Sequence, residues 1–452
     1  MPAINGYDEP AHAGYMLTLV REGRLPNPLE GWSTFHPPLY YVASSVVWQW
    51  AEPFGPHAVL VALRLVGVAA TLLAGAVSFR LLRQLGTNLP TTTVATLLTV
   101  FVPCRQLATT MLGNEAMAAA TVAVALLFLV RLQRDPRRLA CAVAAGVFAG
   151  LALATKYTAL ALLPASVLPF LRTRFEARER RAAAALAFAI ALIAGPIYAR
   201  NVALTGTPLP MTRTLEPMRS TENTFVLRPR LVSDYLWVPW GVFRNPTIFR
   251  RPLSSDPGQR FHREMLSVWG LVHAGVWWDP FERRVPWRLR VQGSWIGTVL
   301  TTLGLVPTLL CVAGFAAATR QVLKTRLRAP DAPLTVFAWC TLALFISFTW
   351  RAPSLAAVKA SYLLPAGVPA AWFFARGVAL LGTRVRRVAL AFSAAAAIAS
   401  AVVFTEGLVF DSPRPHPGSV RFWSGVAERL PGAHLVEPFT ALGLVPEADA
   451  TP

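Results

Sequence analysis

Apolar residues gather along this chain in blocks long enough to cross a bilayer, and short arginine clusters divide the blocks. The pattern predicts an all-α, polytopic membrane protein of about ten spans. They fall near 58–80, 90–104, 116–131, 139–155, 158–171, 182–199, 295–318, 333–350, 361–380 and 388–408. The 158–171 segment is the least regular, being short and holding Pro164 and Pro169. Sidedness follows from the loops. Basic clusters come after the first span (Arg80, Arg83), the third (Arg131, Arg134, Arg137, Arg138) and the fifth (Arg172, Arg174, Arg178, Arg180, Arg181). The same holds after the seventh (Arg320, Lys324, Arg326, Arg328) and the ninth (Arg384, Arg386, Arg387). Every second loop is basic, so these loops are expected on the cytoplasmic side and the alternate loops and both termini outside.

The chain then divides into an outer loop with juxtamembrane helices (1–57), a first bundle (58–199), a large outer loop (200–294), a second bundle (295–409) and an outer tail (410–452). With nothing upstream to carry residues 1–57 outward, a first span missing before Met1 is expected. The large loop holds Trp237, Trp240, Trp269, Trp277, Trp278 and Trp287, which could form an interfacial aromatic belt or a cap that stacks on sugars or lipid.

Composition changes the picture only at its edges. Of 452 residues, 54% are apolar and 15% charged, well below the charge of a soluble chain. The net charge of +20 lies between apolar blocks and makes no basic face, which excludes nucleic acid as a partner. Cys104, Cys141, Cys311 and Cys340 all lie in apolar stretches without metal-ligand spacing and read as core residues. No Gly-rich nucleotide motif is present.

Candidate chemistry collects at the outer ends of the spans. In Tyr7-Asp8-Glu9-Pro10-Ala11-His12, the acids precede a proline suited to a first helical turn, and the helix should run to about Val20 and stop at Gly23. The acids could simply cap that helix. Alternatively one is a general base, with His12 one turn along the same face. His36-Pro37-Pro38-Leu39-Tyr40-Tyr41 predicts a rigid turn before a helix along the interface, serving as a bent anchor or a substrate loop. Asn114-Glu115 lies in the next outer loop, where Glu115 could pair with Arg105 or add a second acid to the cavity of Asp8. The chain has only three lysines, and Lys156 and Lys359 sit at outer ends against the positive-inside trend, each followed closely by a tyrosine, Tyr157 and Tyr362. They could snorkel to headgroups or bind a phosphate at headgroup level, with Arg200-Asn201 joining them.

Taken together, these residues resemble the GT-C membrane glycosyltransferases, the group that holds protein O-mannosyltransferases and the aminoarabinose and galacturonic acid transferases of lipid A. Asp8-Glu9 with His12, the Pro-Pro-Leu of 36–41, Gly113-Asn114-Glu115-Ala116, Thr155-Lys156-Tyr157-Thr158, Arg200-Asn201 with Gly206-Thr207-Pro208-Leu209, and Lys359 with Tyr362-Leu363-Leu364-Pro365 carry the likeness in order. The resemblance implies a GT-C-like bundle, a polyprenyl-phosphate-linked sugar donor and attack by an acceptor on the anomeric carbon. It implies a site on the outer face of the cytoplasmic membrane, with a lipid, glycan or protein acceptor. Asp8 would be the base, with Glu9 beside it; Lys156, Lys359, Arg200 and Tyr362 would hold the donor phosphate; His12, His36 and Tyr40 would shape the substrate loop. Asp8, Glu9 and Glu115 could bind a divalent cation, although nothing in the sequence requires one. Ser361 stands where many relatives carry arginine. A transporter or flippase for a lipid-linked saccharide and a non-catalytic membrane scaffold are the competing readings. The first would need charged residues along the spans, and these are sparse.

Overall fold

A computed structural model describes residues 8–171, 176–210, 228–244, 263–278, 294–354 and 357–410. Tyr7, Arg172, Arg174, Trp287 and most of the tail 410–452 therefore lie outside the described residues, as does much of the large loop. Every regular element among the described residues is helical.

The chain opens with α1 (Glu9–Glu22). Pro10 suits the first turn, and Gly23 ends the helix in the left-handed region at φ 64°. Asp8 is the N-cap residue at φ 55°, its carbonyl accepting the His12 amide, but its side chain makes no capping bond. A loop leads to α2 (Leu39–Ala51), with Pro38 at its N-terminus. The Leu39 amide donates to the Ala154 carbonyl and fastens this helix start to the main bundle. Tyr15 stacks on Tyr41 at 3.9 Å, locking α1 against α2.

Among the described residues, six helices are long and apolar enough to cross a membrane: α3 (Pro56–Gln84), α6 (Glu115–Arg134), α9 (Ala177–Thr205), the 295–324 unit, α13 (Ala332–Arg351) and 383–405 of α15 (Thr383–Phe410). The 295–324 unit combines α11 (Ser294–Leu303) with α12 (Leu305–Lys324). The other four expected spans are shorter or broken. They are α4 (Leu89–Phe101), α7 (Leu139–Leu153), the 157–170 segment and α14 (Gly367–Ala379). The 157–170 segment is 3₁₀, then α8 (Leu162–Val167), then 3₁₀ again. Proline explains three of these, α7 being the exception. Pro103 starts a separate α5 (Pro103–Thr110), Pro169 lies in a 3₁₀ turn, and Pro365 lies in the 3₁₀ segment Ala360–Ala366 before α14. Such broken backbone survives at membrane depth where protein surrounds it. One apolar helix was not expected: α10 (Val268–Trp277) lies within the region read as outer loop.

α6 is the axis. Its residues from Ala116 to Leu132 are mostly buried, packed by α3, α7 and α13. The peripheral helices instead leave apolar stripes uncovered, such as Val61, Leu65 and Leu72 on α3, and Phe188 and Leu192 on α9. Spacings of three, four and seven put such side chains on one face, which suits lipid. α12 and α14 approach backbone to backbone at Gly314 and Gly377. A methyl at Gly314 would strike the Phe373 carbonyl, and one at Gly377 the Leu310 carbonyl. The tryptophans divide: Trp277 and Trp278 are buried, whereas Trp240 is exposed, so they do not form one belt.

The ends of this bundle differ in charge. At one end Arg131 and Arg134 bond Gln84, Gln133 bonds the Leu327 carbonyl, and Arg137 pairs with Glu176 and Glu179. At the other end lie the start of α6 and the ends of α7 and α13, and the candidate chemistry is there.

Candidate active site

Two helix ends and two chain breaks build the site. Lys156 follows α7 in extended backbone (φ −158°, ψ 140°) and begins a 3₁₀ turn. Lys359 occupies the same kind of junction, extended (φ −96°, ψ 126°) before Ala360–Ala366. An extended residue between two helices turns its side chain off both helix faces, and here both ammonium groups turn inward. They are 4% and 9% exposed, which rules out snorkelling to headgroups.

Each lysine meets an acid. Lys156 Nζ donates to Glu115 Oε1 at 2.7 Å and to Asn114 Oδ1 at 3.1 Å. Lys359 Nζ donates to Asp8 Oδ2 at 2.8 Å across 351 residues of sequence. Tyr362 ties the two pairs together: it follows Lys359, and its ring lies under Lys156 Nζ, 5.6 Å from the centroid. Glu115 therefore pairs with Lys156 and not with Arg105, whose Nη2 donates to the Leu364 carbonyl instead. Buried ion pairs of this kind are poor stabilisers, because the desolvation of both charges offsets their attraction. Their presence marks a candidate functional site.

Asp8 is held at both oxygens. Trp32 Nε1 donates to Oδ1 at 3.0 Å, while Lys359 holds Oδ2. Burial pushes its carboxyl up, but the charge and hydrogen bond of Lys359, with help from His12 and Trp32, bring it down to about 2. It is an ionised carboxylate throughout the physiological range, and a weak base while Lys359 holds it. Trp32 also lines a small crevice with Ala11, Gly14, Tyr15, Ser33 and Thr34.

Glu9 faces elsewhere. It is fully buried, accepts the Leu112 amide at 3.2 Å and lies 4.0 Å from Arg64. It thereby braces the Gly113-Asn114-Glu115 loop from below. Asn114 joins the same frame, its Nδ2 donating to the Thr155 carbonyl at 3.2 Å. Arg200 is also apart, donating to the Leu25 and Pro26 carbonyls at 3.3 and 2.8 Å. Asp8, Glu9 and Glu115 thus point to three different partners. Among the described residues no three His, Cys, Asp or Glu side chains are grouped as a metal ion would need.

His12, His36 and Tyr40 border the acids. His12 Nδ1 is 2.7 Å from the Tyr41 hydroxyl, and the His12 and His36 rings stack at 5.6 Å and 24°. Burial lowers both imidazoles below their usual range, so both are neutral near pH 7. Tyr40 packs edge-on to Tyr41 at 5.2 Å, and burial pushes its phenol up.

Three supporting residues were not assigned a role from sequence. Trp32 lies in a loop without periodicity. Arg64 is an isolated cation in an apolar helix, which is itself a signal. Tyr157 donates to the Phe35 carbonyl at 2.7 Å and accepts from Asn201 Nδ2 at 3.0 Å, joining the His36 loop to α9.

Known proteins resemble part of the chain in sequence and most of it in fold. Residues 38–198 match the family model described as dolichyl-phosphate-mannose-protein mannosyltransferase. No curated protein sequence matches the chain. Among solved structures, the Archaeoglobus fulgidus oligosaccharyltransferase in its apo form is similar at a TM-score of 0.52 and 14% identity, over 96% of this chain and 55% of that one. The same enzyme, AglB, in complex with an inhibitory peptide and a dolichol-phosphate gives 0.51 and 16%, over 96% and 55%. ArnT from Cupriavidus metallidurans, bound to undecaprenyl phosphate, gives 0.46 and 16%, over 97% and 71%. The chain spans about half the length of the oligosaccharyltransferase chains it matches. All-helical, with its acids and lysines gathered at one end of the bundle, the chain has the fold of the GT-C membrane glycosyltransferases.

Proposed function

We propose that this chain transfers a glycosyl group, with inversion, from a polyprenyl-phosphate carrier to a lipid, polysaccharide or protein acceptor. The observation that carries the reading is the convergence of Asp8, Glu115, Lys156 and Lys359, which are far apart in sequence, at one end of the bundle. That end is opposite the arginine-rich loops, which by the positive-inside trend supports a site on the outer side of the cytoplasmic membrane. The fold is shared with an oligosaccharyltransferase whose complex contains a dolichol-phosphate, which supports a lipid phosphate as the carrier.

In this mechanism the carrier phosphate competes with Asp8 for Lys359 and with Glu115 for Lys156. Asp8, released from its lysine, becomes a stronger base and takes the proton of the acceptor hydroxyl or amine. The acceptor lone pair forms the new bond to the anomeric carbon. The bond from that carbon to the phosphate oxygen breaks, and its electron pair stays on the phosphate, where the two ammonium groups stabilise the added charge. Tyr362 and Trp32 flank the reacting groups.

The test is sugar transfer from polyprenyl-phosphate-linked donors by the purified protein in proteoliposomes. Asp8→Asn should cut turnover by about 10²–10⁴-fold while keeping the wild-type melting temperature within a few degrees. Full turnover by a folded Asp8→Asn protein would show that Asp8 is not the base.

A further inference from the structure

The charges around the site cancel in pairs. Asp8 is matched by Lys359, Glu115 by Lys156, and Glu9 by Arg64. A phosphate entering between the two pairs therefore brings a negative charge where both facing lysines already balance an acid. An uncompensated buried charge is costly, and proteins relieve it by moving a proton. The neutral groups at hand that can become cations are His12 and His36. Their rings stack at 5.6 Å, so a proton on one ring opposes a second on the other and the pair holds one added charge. His12 is anchored through Nδ1 to Tyr41. His36 Nδ1 is buried with no hydrogen-bond partner, the condition of an atom with a proton or a ligand still to gain.

The charged groups around the doublet come from every neighbouring element: Asp8 ahead of α1, Glu115 at the start of α6, Lys156 after α7 and Lys359 before Ala360–Ala366. The acids favour an imidazolium and the lysines oppose it. While the pairs are intact the lysines oppose the acids, and burial keeps both rings neutral. An anion that draws on both ammonium groups removes the opposing influence and leaves the acids' favourable one.

We propose that the stacked His12–His36 pair takes up one proton when a phosphate group enters between the two acid–lysine pairs. The histidines thus act as the counter-charge that binding itself calls up. This rests on the phosphate-binding reading above and goes beyond it by naming where the extra charge is balanced.

Calorimetry of the purified full chain in detergent tests it. The ligand is a short-chain prenyl methyl phosphodiester, which lacks the second phosphate ionisation near pH ~6. Titrations near pH 6.5, in two buffers of different ionisation heat, count the protons exchanged. The expected result is uptake approaching one proton per ligand, with affinity weakening up to tenfold for each unit of rising pH across the window. In His12→Gln/His36→Gln the uptake should vanish and the affinity become independent of pH. Binding without proton exchange would overturn the proposal. So would uptake retained in the double variant, because the displaced carboxylates would then be the acceptors. Absence of any phosphodiester binding by the wild-type protein would overturn the phosphate site itself, and this inference with it.

Discussion

Replacing Lys359 by methionine should reverse the sign of Asp8's contribution to stability. In the wild type the carboxyl is lowered from 3.8 to about 2, against a burial effect that raises it. At 1.36 kcal/mol per unit this is roughly 2 kcal/mol, trimmed by solvent because the Asp8 side chain is 31% exposed. A lowered folded-state value means that the contribution is present above the unfolded value of 3.8 and lost as pH falls through about 2. Without Lys359, burial is opposed only by His12 and Trp32, and the carboxyl should titrate above its unfolded value. Its contribution is then full at low pH and lost as pH rises through the raised value. Melting temperatures of the detergent-solubilised wild type and Lys359→Met, measured from about pH 3 to 7, should separate as pH rises, by the equivalent of about 2–3 kcal/mol. The added substitution Asp8→Asn should abolish the pH dependence of that gap. A gap constant across the range would show that Lys359 does not control Asp8, and the proposed release of the base by phosphate would fall with it.

Glu115→Gln should leave Lys156 buried and unpaired and destabilise the protein by about 3 kcal/mol; the double variant Glu115→Gln/Lys156→Met should recover part of the lost melting temperature. Tyr157→Phe removes the hydrogen bonds to the Phe35 carbonyl and Asn201, about 1–2 kcal/mol together. Its effect on transfer should be a raised donor KM with a nearly unchanged kcat, read from steady-state kinetics. Gly314→Val should separate α12 from α14 and cost at least 1–3 kcal/mol, visible as a lower melting temperature, whereas the same change at Gly382, which has open space around it, should be tolerated.

Segments whose local chemistry is decisive were legible in the sequence. α1 starts and stops where Pro10 and Gly23 say it should, and α2 begins directly after the paired prolines. The long helices follow the apolar blocks within a few residues. Shorter ones departed because proline and the shelter of neighbouring protein decide whether a block is continuous, and only the first can be read from one chain. α10 was missed because ten apolar residues in a loop rich in arginine and proline do not announce a buried helix. At the site, the unusual position of two lysines in an arginine-based chain pointed to Lys156 and Lys359 and could not reveal their partners. Pairing Lys359 with Asp8 requires knowing how α13 turns into Ala360–Ala366, which no local spacing encodes. Glu9 and Arg200 show the converse: residue type suggested chemistry, and packing assigned them to the frame.

The Asp8–Lys359 pair has a consequence for how the chain is made. Lys156 can meet Glu115 as soon as the first half of the protein is inserted, but Asp8 must wait until most of the polypeptide has left the ribosome. Until then Asp8 has Trp32 but lacks its lysine. Assembly intermediates that stall before residue 359 should expose the α1–α2 hairpin to membrane quality control, and insertion of the segment that carries Lys359 is the step that ends that vulnerability.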